Sequence, residues 1–192
     1  MTTTDITTTA PATLADLTGN WTLDPAHTRI GFVARHAMVT KVRGAFNEFE
    51  GTAVVDGAAL RRSSATVTIA AASIDTRNEQ RDAHLRSNDF LGMDEFPQIT
   101  FVATGVAPTG ASSFDLTGDL TIKGTTNPVT VPFEFEGAAT DPFGNVRAGF
   151  EGSVTINRKD YGITWNAALE TGGVLVSDKI VLEFEVSAVK AS

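Results

Sequence analysis

The sequence predicts an all-β fold, an eight-stranded antiparallel β-barrel with a short helical cap, and three observations carry that prediction. From Asn20 onward, apolar and polar residues alternate with a period of two in about eight segments, the mark of half-buried strands. Turn-forming residues separate these segments, and the chain holds 17 glycines and twelve phenylalanines against one tyrosine. At 192 residues with no cysteine, the chain has length for one domain whose stability must come from its core. Residues 1–19 are expected to be a disordered Thr-rich tail, and residues 20–192 the domain.

The first strand is expected over Trp21 to His36, with a bend at Asp24-Pro25. Ile30, Phe32, Ala34 and His36 then share one face, and Arg29 and Arg35 the other. The second runs from Val39 to Val55. Val42, Gly44 and Phe46 are in step and Phe49 is out of step by one, which a β-bulge near Asn47 repairs. Asp56-Gly57 turns the chain into a third strand over Ser64 to Ala72. A helix follows from Arg77 to Ser87, with Thr76 and Glu79 spaced as a capping box. Only Ala83 and Leu85 are apolar in that stretch, so it is read as a lid, with Phe90, Leu91, Met93 and Phe96 forming a plug beneath it.

Five further strands are expected over Gln98–Ala107, Phe114–Lys123, Val129–Ala138, Val146–Asn157 and Val174–Val189. Turns lie at Gly110, at Gly124 with Asn127-Pro128, and at Asp141 to Asn145. Their inward sets include Phe101, Leu120, Ile122, Val131, Phe133, Phe135, Phe150, Ile156, Leu182 and Phe184. Pro132 is out of place inside a strand of a closed barrel, because its missing N–H breaks a ladder. A local bulge or a gap in the ladder is the expected remedy.

Alternation fits a sandwich as well as a barrel, but segments of ten or more residues give walls of roughly 35 Å and favour closure. Phenylalanines share the inward face with Ala34, Gly44, Ala103, Gly118, Gly137, Ala148 and Gly152. Such small residues leave volume along the axis, or else they interdigitate with large ones to fill it; the pattern permits both. An apolar cavity suits an extended hydrocarbon, at ~0.8 kcal/mol per buried methylene, and leaves the polar groups of a sugar or nucleotide unpaired.

A net charge of -8 and a pI near 4.8 argue against nucleic acid and anionic membrane surfaces as partners. No run of about 18 apolar residues spans a bilayer, and the Thr-rich start has no signal-peptide core, so a soluble cytoplasmic protein is expected. His27, His36 and His84 lack metal-ligand spacing. No nucleophile elbow, phosphate loop or dinucleotide fingerprint is present, and neither a catalytic residue nor a cofactor is assigned. His36 and His84 are the two candidates for acid–base chemistry if the protein is an enzyme. Arg77, Arg81, His84 and Arg86 form either a solvated face or a site for a polar head group.

Five ordered blocks carry a family likeness: His27 to Phe32 with Arg35-His36; Val42 to Gly51; Arg81 to Ser87 with Asp89-Phe90; Gly118 to Gly124; and Arg158 to Trp165 followed by Glu170 to Gly173. Over Trp21 to Val189 the chain resembles the YceI-like family of lipocalin-like, polyisoprenoid-binding proteins. The resemblance implies a barrel closed at one end by a helical segment. It also implies a long tunnel for an isoprenoid or quinone-like lipid, a role in binding or transport, and a possible homodimer. It places Phe32, His36, Phe46, His84, Phe90 and Trp165 in the tunnel or at its mouth. With the inward strand positions Ile30, Ala34, Phe49, Phe101, Ile122, Phe133, Phe135, Phe150, Leu182 and Phe184, these make the candidate ligand-binding set. The alternatives are an enzyme acting on such a lipid and a packed, stress-related barrel acting through partners.

Overall fold

The computed structural model describes residues 13–192, and eleven strand segments in it build eight walls. The first wall is β1 (Gly19–Leu23) and β2 (Arg29–His36), interrupted at Asp24-Pro25 as the sequence suggested. The second is β3 (Thr40–Phe46) and β4 (Phe49–Val55), broken at Asn47-Glu48 where Phe49 falls out of step. Then come β5 (Ser64–Ala70), the two-residue β6 (Ile74–Asp75), α1 (Glu79–Arg86), β7 (Gln98–Pro108), β8 (Ser113–Ile122), β9 (Thr125–Thr140), β10 (Val146–Asn157) and β11 (Lys179–Lys190). Each wall pairs antiparallel with its neighbours in sequence, and β11 closes the barrel on the first wall through Trp21↔Lys190 and Phe32↔Leu182.

Pro132 is accommodated by a gap. It stays in register with Asp115 on β8, while the β9–β10 ladder ends at Phe133↔Gly152, so the missing N–H falls where β9 has no partner on that side. Further along, β9 carries an extra residue at Glu136, since Gly149 pairs with Gly137 and Phe150 with Phe135. This bulge turns Ala138 inward beside Phe150 in the lower core.

Several boundaries differ from the sequence reading. The helix is capped by Asn78, whose side chain accepts from Arg81 N–H, and not by Thr76. The reason is Arg77, which takes a left-handed turn (φ 61°) and leaves Thr76 outside the helix. There Thr76 donates its N–H and hydroxyl to the buried carboxylate of Asp82. Arg81 and Arg86 are tied to the chain itself: Arg81 bonds the hydroxyl and carbonyl of Thr76, and Arg86 the carbonyls of Ala72 and Ile74. Asn127 and Pro128 lie within β9, because Lys123-Gly124, both left-handed, already complete the turn. Val174 to Asp178 belong to a long loop before β11. Within the stretch assigned to the tail, Leu14–Leu17 form a 3-10 turn with Leu14 and Leu17 buried; residues 1–12 lie outside the described residues.

Two apolar clusters occupy opposite ends of the barrel. At the end carrying α1, Phe90 and Leu91 of the plug pack with Ile30, Ile74, Ile122, Tyr161 and Ile163. At the other end Leu14, Leu17 and Trp21 pack with Phe135, Ala148 and Ala188, and the Trp21 indole donates to Leu17 carbonyl at 2.8 Å.

Candidate functional site

Between those clusters the barrel is hollow. A cavity of about 380 Å³ runs from Leu14, Leu17 and Trp21 at one end to Leu85, Phe90, Leu91, Tyr161 and Ile163 beneath the helix. Its volume lies at the lower end of the ~300–1,000 Å³ range of ligand pockets. On β11 alone Ile180, Leu182, Phe184, Val186 and Ala188 line it, eight residue steps or roughly 27 Å of strand. Strands tilt by about 35–45° in such a barrel, so this stretch of wall spans about 20 Å along the barrel axis.

What keeps the centre open is the placement of the rings. A Cβ built on Gly44 would lie 2.4 Å from the Phe32 ring, one on Gly118 2.4 Å from Phe101, and one on Gly152 2.7 Å from Phe133. Each ring therefore occupies the side-chain space of a glycine on a neighbouring strand and lies along the wall. The sequence reading left open whether the small residues leave a void or interdigitate with the large ones. In the structure the glycines supply parking places for phenylalanines that would otherwise point at the axis, an arrangement of ring over glycine that also pins register.

The wall offers very little polarity. Among the described lining residues there is no carboxylate, imidazole or ammonium; the ionisable groups are Arg158 and Tyr161. Arg158 is 3% exposed and its guanidinium is spent on the chain itself. It donates to the carbonyls of Ser177, Ile163 and Trp165 at 2.9, 3.0 and 2.8 Å, with Asp178 beside it. Burial draws the Arg158 pKa down, against the opposing pull of Asp178. These bonds fold the loop between β10 and β11 over one end of the barrel and bring Ile163 and Val176 to the cavity wall. Burial likewise raises the Tyr161 phenol above its ordinary value, helped by Asp160.

Of the sixteen candidate residues, Ile30, Phe32, Ala34, Phe46, Phe90, Phe101, Ile122, Phe133, Phe150, Leu182 and Phe184 line the cavity. The other five do not. His36 is exposed at the end of β2, beyond Val33↔Val181 where the β2–β11 ladder stops, so its inward parity faces no interior. His84 lies outside, its Nε2 2.8 Å from Asp89 Oδ2 and its ring edge-on to Trp165 and Phe90 at 4.6 and 5.0 Å. Trp165 backs Phe90 in that cluster, Phe49 packs in the upper core and Phe135 in the lower. The sequence reading missed Leu14, Leu17 and Trp21 as a floor. The signal available was the three-residue spacing of the leucines, with Thr13 and Asp16 positioned to bond across the turn.

An up-and-down antiparallel barrel around one apolar cavity, capped by a short helix, defines a lipocalin-like binding barrel. Residues 21–188 match the model of the YceI-like domain, and the chain belongs to that family. A UPF0312 protein of Staphylococcus aureus is 45% identical over 170 residues, spanning 88% of this chain and 95% of its own. The structure is similar to that of Burkholderia cenocepacia BcnA, with TM-score 0.75, 27% identity, and 86% and 98% of the two chains covered. It also resembles a Campylobacter jejuni YceI protein, with TM-score 0.71, 30% identity, and coverage of 88% and 97%. A polyisoprenoid binding domain from Saccharophagus degradans superposes with TM-score 0.68 at 13% identity, covering 89% and 98%, a likeness of fold alone.

Proposed function

We propose that this protein binds and carries a long-chain amphiphilic lipid of the isoprenoid class, with the hydrocarbon along the barrel axis. The observation that carries the reading is the cavity itself: long, bounded by side chains at both ends, and lined by aliphatic and aromatic groups. Each methylene moved there from water contributes ~0.8 kcal/mol, so ten or so ordered carbons give a gross gain near ~8 kcal/mol before ordering costs. The same lining disfavours sugars and nucleotides, which would lose hydrogen bonds on entry.

An enzyme acting on the lipid is the second reading, and the placement of His36 and His84 outside the cavity weighs against it. General acid–base catalysis needs the group within about 3 Å of the proton it moves, directly or through one water. The guanidinium of Arg158, committed to three carbonyls, is poorly placed to serve. Native mass spectrometry of purified protein, followed by organic extraction, tests the carrier reading. One lipid per barrel, or stoichiometric uptake of an added polyprenol, is expected. A ligand-free protein that ignores polyprenyl and acyl chains alike would contradict it.

A further inference from the structure

At the end of the barrel that carries α1, the β2–β3 hairpin ends in an apolar tip. Met38 and Val39 are 55% and 76% exposed, and Val174, on the adjoining loop, is 37% exposed. The two loops are joined: Ala37 N–H donates to the Leu175 carbonyl at 2.7 Å, and His36 bridges to Val176. Val176 and Ala34 in turn line the cavity. The tip is therefore continuous with the cavity wall, two to five residues away along each chain segment.

Two features of this tip run against local stability. Ala37 and Met38 have φ of 51° and 60°, and the Val39 N–H closes the turn onto the His36 carbonyl. A turn with both central residues left-handed favours Asn-Gly and disfavours side chains such as these. Beneath it, Arg35 pairs directly with Lys41 across the ladder, and Lys179 opens β11 two residues after Ser177, which bonds the Arg35 backbone and, through its hydroxyl, the Lys179 carbonyl. Like charges directly opposite on one face repel. Among the described residues the side chains of all three cations make neither a hydrogen bond nor an ion pair. Of the acids in the loop between β10 and β11, Asp160 and Glu170 are exposed, and Asp178 is engaged by Arg158 and Lys159.

We infer that this tip is a docking surface for an anionic phospholipid bilayer, with Met38, Val39 and Val174 entering the interface and Arg35, Lys41 and Lys179 meeting the headgroup phosphates. Exposed apolar side chains ringed by unpaired cations are the pattern of interfacial anchoring. The net charge of -8 does not forbid it, because exposed charges are screened beyond ~8–10 Å and the local cluster decides. A second copy of this chain fits less well. A two-fold contact at a convex tip would set the three cations against their own counterparts, and three exposed apolar residues fall short of the ~800 Å² per partner of a stable interface. This docking extends the carrier reading by naming where the chain would be acquired or released.

The test is sedimentation of the full chain with vesicles of phosphatidylcholine alone or with about 30 mol % phosphatidylglycerol. Salt-sensitive binding to the anionic vesicles only is expected. Arg35→Gln with Lys41→Gln should weaken it about fivefold per cation removed. Met38→Ser with Val39→Ser should abolish it, while Val54→Ser, on an exposed valine of the β4 wall, leaves it unchanged. Equal binding by wild type and the Met38→Ser/Val39→Ser variant, or no binding to anionic vesicles, overturns the inference. A concentration-dependent dimer lost in that same variant, without vesicle binding, overturns it in favour of a second copy. Uptake of polyprenol from dilute ethanol, with no vesicles present, is measured in parallel. Normal uptake without docking defeats the docking alone, and docking without uptake defeats the carrier reading alone.

Discussion

Ala34→Leu separates a hollow barrel from a packed one. Ala34 lines the cavity on β2, between Phe32 and the hairpin. Leucine there adds three carbons, which displace about three methylenes of a bound chain. At ~0.8 kcal/mol each, the loss is ~2.4 kcal/mol, or roughly 60-fold in affinity. The assay uses Trp21, which lines the floor of the cavity. In a Trp165→Phe background, quenching of Trp21 by a brominated long chain reports occupancy without interference from the indole outside. Folding stability, measured by urea denaturation, should hold or rise, because the added carbons enter empty space. In a filled interior the same carbons would overpack and cost about 1–3 kcal/mol. Unchanged chain affinity together with lost stability would refute the reasoning.

Gly44→Val should force the Phe32 ring off the wall and into the lumen, lowering chain affinity and destabilising by about 1–3 kcal/mol in the same denaturation assay. Arg158→Met leaves one buried and two half-buried carbonyls without their donor; a loss of roughly 3–5 kcal/mol is expected, with raised hydrogen exchange across residues 163–177. Asp24 is held below the usual carboxylate range chiefly by Arg147, and Asp141 by Asn145 with help from Arg147. Both folded-state values are depressed, so the stability they contribute is present above the unfolded carboxylate pKa of about 4 and is lost as pH falls through the folded values. Arg147→Met should flatten the decline in stability below about pH 4, mainly through Asp24, as read from denaturation midpoints across pH.

The barrel was legible because its strands bury one face each, and a period of two survives in the residues. The break at Asn47, the bend at Asp24-Pro25 and the gap at Pro132 all announced themselves as violations of that period or of the hydrogen-bond ladder. Site residues were legible only where parity and height agreed. Parity gives the face of a strand and says nothing of where along the axis the barrel closes, so His36 was assigned inward although the ladder on that side ends at Val33. His84 came from the basic run on the helix and from a family likeness, neither of which says whether the side chain enters the cavity or, as here, packs behind Phe90. The loop tied down by Arg158 depends on side-chain bonds between residues far apart in sequence, and no local pattern encodes them. The pairing of rings with glycines is also non-local, since Phe101 and Gly118 meet only once β7 and β8 are in register.

The account rests on an apolar lumen that accepts a chain. Co-crystallisation with a polyprenol analogue brominated along its length, read by anomalous diffraction at the bromine edge, tests this most directly. A line of bromine peaks between Phe32, Phe101, Phe133 and Phe184 is the predicted result. Side chains closing the lumen, with bromine peaks absent or confined to the outer surface, would contradict it.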